Sequence, residues 1–216
     1  MTYGRSSLSH GRSSLSRPLA TLLACLLLAG CTADPDVPGG LPAQGSVDVD
    51  TPALRALKAD AGVRPCRGGD ARPVPDGLPE VALQCLGGGR PVTLSSLRGP
   101  LVITLFAQWC GPCRKELPYF QRLDRQADGA VRVLGVDYLD TQPDGALRLA
   151  QRSGVTFPLL ADPETQLRSG LRVRGIPTVV FVDADGVVTA SQARAFTSYA
   201  DLREAVRDQL GVEVPA

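Results

Sequence analysis

Between residues 78 and 210, short runs dense in apolar and β-branched residues alternate with stretches in which apolar residues recur every three or four positions. The first pattern suits buried strands, the second amphipathic helices. Strands are predicted at 78–86, 91–94, 101–106, 131–137, 179–183 and 187–191, and helices at 110–126, 143–154, 163–170 and 199–210. Gly87-Gly88-Gly89 folds the first two strands into a hairpin, and Asp185-Gly186 does the same for the last two. After the leading hairpin, with the short helix at 163–170 left aside, the order is β-α-β-α-β-β-α, an α/β arrangement with a central mixed sheet flanked by helices. Residues 101–106, Leu-Val-Ile-Thr-Leu-Phe, read as a strand buried on both faces. Pro118 falls inside the first long helix, where it removes one backbone donor and is expected to bend it.

Upstream the pattern changes. Residues 1–18 are polar, carry Arg5, Arg12 and Arg17 with no acid, and repeat Gly-Arg-Ser-Ser-Leu-Ser at 4–9 and 11–16. Residues 19–29 are an apolar run of eleven broken only by Thr21, too short to span a bilayer and suited to the core of a signal peptide. The run ends Leu28-Ala29-Gly30-Cys31, with Cys25 inside it as apolar filler. Small residues before a cysteine at that place resemble the bacterial lipoprotein signal, in which the cysteine, here Cys31, is lipidated and starts the mature chain. A plain cleaved signal is the alternative. Residues 31–61 are rich in Pro, Gly, Ala and Asp and read as a flexible tether, with at most a short helix at 52–61. The expected division is a signal peptide at 1–30, a tether at 31–61 and a folded domain at 62–216.

Composition narrows the chemistry. A length of 216 residues and 44% hydrophobic content fit one globular domain with appendages. A net charge of +1 offers no electrostatic case for nucleic acid. The single histidine is His10, outside the expected domain, so a histidine base or ligand within the domain is excluded. The six cysteines fall into pairs: Cys25 and Cys31 in the leader, Cys66 and Cys85 near the hairpin, Cys110 and Cys113 after the central strand. In an oxidising compartment Cys66 and Cys85 should bridge, closing a loop of about 20 residues for about 3 kcal/mol of stability. A second redox pair is the alternative reading of these two. One CxxC supplies only two zinc ligands and the domain has no second set, so no metal and no other cofactor is expected.

Trp109-Cys110-Gly111-Pro112-Cys113 carries the chemistry. It stands where the central strand hands over to a helix. The first cysteine then sits among unpaired N–H groups at the positive end of the helix dipole, which favour a thiolate. A thiolate is the species that attacks disulfides, and two thiols at this spacing close a small ring. A permanent structural disulfide in a non-enzymatic binding lipoprotein is the competing reading. Glu116 follows Cys113 by three and shares its helix face, so a partly buried carboxylate there has the geometry to exchange a proton with Cys113. The plainer reading of Glu116 is a solvated charge beside Lys115.

The motif, Pro118, and Ile176-Pro177 ahead of an apolar strand together resemble the thioredoxin superfamily. The segment between Asp137 and Pro177, with Gly154-Val155-Thr156-Phe157-Pro158 and Asp162, narrows the likeness to TlpA/ResA-like membrane-anchored thiol-disulfide oxidoreductases. The resemblance covers roughly residues 75–210. It implies a thioredoxin-like fold with an N-terminal β-hairpin and a central insertion. It makes Cys110 the exposed nucleophile and Cys113 the resolving thiol. It puts a cis bond before Pro177, with Trp109, Ile176 and Pro177 against an extended substrate chain, and it places Glu116 in the active site. Thr104 stands where plain thioredoxin buries an acid, and Phe106 where Trp is common. The implied activity is extracytoplasmic reduction of disulfides in exported proteins, such as apocytochrome c, by a lipid-anchored monomer. A CcdA/DsbD-like membrane electron carrier would recharge it. Disulfide formation is the alternative direction.

Overall fold

The computed structural model describes residues 46–216, which form one unit. The predicted signal peptide, Cys25, Cys31 and most of the predicted tether lie outside the described residues. In chain order the elements are α1 (Pro52–Asp60), β1 (Ala82–Cys85), β2 (Val92–Thr93), β3 (Leu101–Phe106), α2 (Gly111–Gln126), β4 (Arg132–Tyr138), α3 (Pro143–Arg152), β5 (Leu159–Asp162), α4 (Leu167–Gly170), β6 (Thr178–Val182), β7 (Val188–Gln192) and α5 (Tyr199–Leu210). No helix among the described residues is long and apolar enough to cross a membrane.

One seven-stranded sheet runs in the order β2-β1-β5-β4-β3-β6-β7. The pairs β5/β4 and β4/β3 are parallel, and the remaining four are antiparallel. The central strand β3 is buried at every position, as its uninterrupted apolar run requires. Its side chains alternate between two cores. Val102 and Phe106 face the core shared with α2, α3 and α5, and Leu101, Ile103 and Leu105 face the core closed by β1, β2 and α4. The N-terminal hairpin is present and is stitched to the sheet through β1/β5. The insertion between β4 and β6 supplies α3, β5 and α4. The fold is thioredoxin-like, with the expected hairpin and insertion.

Two sequence expectations change. Residues 46–61 are folded: α1 begins at Pro52, capped by Thr51, whose hydroxyl accepts the Leu54 N–H at 3.2 Å. Val49 and Leu54 enter the core, and the Val49 carbonyl accepts the Gly87 N–H at 2.9 Å. The folded unit therefore starts near residue 46 rather than 62. Leu54 and Leu57 are the only large apolar residues in α1, too few for a clear helical stripe. The helix predicted at 163–170 shortens to Leu167–Gly170, because the Asp162 carboxylate takes the N–H groups of Gln166 and Leu167 at 2.7 and 3.0 Å while Thr165 adopts φ +57°. Helix α2 continues through Pro118, whose missing donor falls on the exposed side.

Candidate active site

The site grows from the C-terminal end of β3. After Phe106 the chain makes a short turn, and Cys110 becomes the N-cap of α2 with Pro112 in the helix's first turn. Cys110 Sγ accepts the backbone N–H of Cys113 at 3.2 Å, so the sulfur rests on the helix's unpaired donors. The two cysteines are joined in a disulfide with Cα atoms 5.3 Å apart. Cys110 is 4% exposed and Cys113 fully buried, which makes Cys110 the sulfur an incoming group meets first. Trp109 beside them is 49% exposed, an unusual cost for an indole in solution.

Strand β6 brings the second component. It runs antiparallel to β3 with Leu105 opposite Thr178, so the next position along sets Pro177 beside Phe106, at the end of β3 that leads to Cys110. The Ile176–Pro177 bond is cis, as the resemblance implies, and the Thr178 hydroxyl donates to the Gly175 carbonyl at 2.6 Å, closing the loop on itself. Ile176 is half-buried between the two cores.

Glu116 is buried and not solvated. Its Oε2 accepts the Phe196 N–H at 2.8 Å, and its Oε1 has no partner. Burial pushes the carboxyl up to about 7, opposed by the Phe196 hydrogen bond and the nearby Arg194 charge. Phe196 also packs edge-on against Phe120, with ring centres 6.1 Å apart. Glu116 thus ties the loop before α5 to the active-site helix and keeps one carboxyl oxygen free.

Sequence reasoning missed two acids and one apolar residue at this end of the sheet. Asp140 accepts the Gln108 N–H at 2.9 Å and the Gln142 N–H at 2.9 Å, anchoring the turn that carries Trp109 and Cys110. Asp137 lies opposite Phe106 in the β3/β4 register, buried, with Oδ1 unpartnered. Burial first, and the Asp140 charge second, hold its carboxyl well above the usual range. An acid closing an otherwise apolar strand, Val133-Leu134-Gly135-Val136-Asp137, was the available signal. Leu139 is 46% exposed at φ +54° and, with Trp109, gives the strand ends an apolar rim. Thr104 is fully buried with its hydroxyl unpartnered, so it brings no charge beneath the cysteines.

Cys66 and Cys85 do not belong to this cluster. They form their own disulfide, with Cα atoms 5.9 Å apart. Cys85 pairs with Leu160, which pairs with Val136, which pairs with Leu105, so three strand spacings separate it from β3. That is about 14 Å across the sheet.

A strand delivering a disulfide to a helix N-terminus, with a cis-proline on the neighbouring antiparallel strand, defines the thioredoxin-like class. Residues 74–191, more than half of the chain, match the AhpC/TSA family, and the chain belongs to it. Among curated relatives it is 33% identical over 122 residues to the thiol:disulfide interchange protein HelX of Rhodobacter capsulatus, covering 55% of this chain and 67% of that one. It is 33% identical over 99 residues to the thiol:disulfide interchange protein CycY of Rhizobium leguminosarum, covering 45% and 52%. The chain spans about half the length of the first curated relatives it matches. Among solved structures, DsbF of Mycobacterium tuberculosis, in mixed oxidised and reduced forms, superposes with a TM-score of 0.56 at 27% identity, over 63% of this chain and 98% of that one.

Proposed function

We propose that this protein is a membrane-anchored, extracytoplasmic thiol-disulfide oxidoreductase that cycles Cys110 and Cys113 between dithiol and disulfide, and that it works as a reductant of exported proteins. The observation that carries the reading is the placement of Cys110 Sγ on the N-terminal donors of α2 with the cis-proline loop across from it. In the reducing direction the Cys110 thiolate attacks one sulfur of a substrate disulfide. A mixed disulfide forms and the other substrate sulfur leaves as thiolate. Cys113 loses its proton and attacks Cys110 Sγ, releasing the second substrate thiol and restoring the Cys110–Cys113 bond. Glu116 Oε1, unpartnered and near neutrality in its titration, is the acceptor we assign to the Cys113 proton. Exposed Trp109, half-buried Ile176 and buried Pro177 line the place where an extended substrate backbone would lie.

The names of HelX, CycY and the ResA and DsbE relatives support thiol-disulfide exchange. The leader pattern supports export and lipidation at Cys31, which would hold a monomer at the membrane facing outward. The partners would be disulfide-bearing exported proteins, apocytochrome c among them, and a CcdA/DsbD-like membrane carrier that returns the protein to its dithiol form. The Gly-Pro pair between the cysteines favours the reducing end of the class.

Direction is read by equilibrating the purified protein with glutathione buffers and measuring the Cys110/Cys113 dithiol fraction. A potential near that of thioredoxin, about −270 mV, is expected. A value near that of strong oxidants, about −120 mV, would reverse the assignment to disulfide formation.

A further inference from the structure

Lys58 stands out among the described residues. It projects from α1, is only 8% exposed, and places Nζ 2.9 Å from Cys85 Sγ and 2.9 Å from the Gly88 carbonyl oxygen. Burial lowers its amine below the ordinary lysine range, and Asp50 is the acid whose charge opposes this. A buried ammonium normally has an anion as partner. Here the neighbour is a neutral disulfide sulfur, a weak acceptor. Reduction of the bridge would create the missing anion, a Cys85 thiolate, at the same place.

The two sulfurs differ in access. Cys85 is 1% exposed, whereas Cys66 is half-buried and opens into a groove of about 770 Å³ lined also by Arg67, Glu80, Arg90 and Ser96. Cys66 Sγ lies 3.1 Å from the Leu159 carbonyl oxygen, which would accept a thiol proton once the bridge opens. Each sulfur therefore has a partner waiting for its reduced form: an ammonium for Cys85 and a carbonyl for Cys66.

We propose that Cys66–Cys85 is a second redox centre, opened by a dithiol reductant that attacks Cys66 while Lys58 stabilises the departing Cys85 thiolate. The reductant's thiolate bonds to Cys66 Sγ, and the Cys66–Cys85 bond breaks with its electron pair on Cys85, beside the Lys58 ammonium. The reductant's second thiol, deprotonated, then attacks its own sulfur in the mixed disulfide. Cys66 leaves as a thiolate and takes a proton, and the reductant departs as a disulfide. Two electrons enter the protein. Thiol–disulfide exchange is fastest when the leaving sulfur is the better stabilised anion, which is the role the ammonium fills. This centre is separate from the Cys110/Cys113 site and does not depend on its direction of flow.

The test uses the full chain under native conditions in graded mixtures of reduced and oxidised dithiothreitol. Differential alkylation and peptide mass spectrometry read Cys66 and Cys85 apart from Cys110 and Cys113. The bridge is expected to open at ratios that leave the protein folded. Lys58→Met is expected to require about a tenfold more reducing mixture, equivalent to about 30 mV, while Lys58→Arg stays near the parent and the Cys110/Cys113 midpoint does not move. With glutathione, the mixed disulfide should appear on Cys66. A bridge that opens only as the protein unfolds, an unchanged midpoint in folded Lys58→Met, or glutathione captured on Cys85 would each overturn the proposal. The glutathione mapping needs no substitution, so it decides even if Lys58→Met does not fold.

Discussion

Cys110→Ser should lose dithiothreitol-driven insulin reduction by about a thousandfold or more, down to the uncatalysed rate. A hydroxyl at this helix N-terminus would still cap α2, because Ser is a favoured N-cap residue, so the loss would not come from unfolding. What disappears is the polarisable anion that bonds to sulfur. Cys113 cannot replace it, being fully buried behind Cys110. The companion variant behaves differently. Cys113→Ala keeps the attacking sulfur and removes the one that resolves, so substrate should accumulate covalently on Cys110. Turnover lost in both variants, with trapped substrate in the second alone, is the pattern that separates a redox couple from a permanent disulfide on a binding protein. Undiminished turnover in Cys110→Ser would remove the assigned nucleophile.

Glu116→Gln should flatten a large part of the protein's pH-dependent stability. The carboxyl titrates at about 7 in the folded chain against 4.5 for the free group, mainly because it is buried. Between these values the unfolded chain has released the proton and the folded chain still holds it. Stability from this group is therefore complete below about 4.5, falls as pH rises, and levels off above about 7, a total loss of about 3 kcal/mol. The amide can still accept the Phe196 N–H through its oxygen, so the substitution isolates the charge. Urea unfolding of the oxidised proteins should show the variant gaining on the parent by about 3 kcal/mol between pH 4.5 and 8. Asp137 and Asp162, also raised by burial, keep a residual slope in both proteins. A constant difference across that range would mean that Glu116 is ionised in the folded state throughout.

Local pattern served best where one stretch of chain settles its own surroundings. The strand at 101–106 matches β3, and the helix at 199–210 matches α5, which has Ser198 at its start and Gly211 in the left-handed conformation at its end. The CxxC at a strand-to-helix junction and the proline ahead of β6 were equally visible, because each motif is short and its geometry local. What stayed hidden depends on distant partners. Strand β5 is four residues long and gains its place by pairing between β4, just ahead of the insertion, and β1 of the N-terminal hairpin. Helix α1 has only two large apolar residues, Leu54 and Leu57, and is fixed by its packing, with Lys58 reaching a sulfur 27 residues away. Asp140 holds the turn before Trp109 from 32 residues downstream. A pattern of periods carries no trace of such pairings. Glu116 lay between these cases: its helix face was legible, but its hydrogen-bond partner, the Phe196 N–H, lies 80 residues on.

Alkylation of the reduced protein with iodoacetamide over a pH series, followed at the Cys110 peptide, addresses the central point most directly. A sulfur resting on the first donors of α2 should label as an anion, with a midpoint well below the ordinary value of about 8.5 and faster than free cysteine at neutral pH. A midpoint at or above that of free cysteine would contradict the reading, leaving the fold intact and its proposed chemistry without a nucleophile.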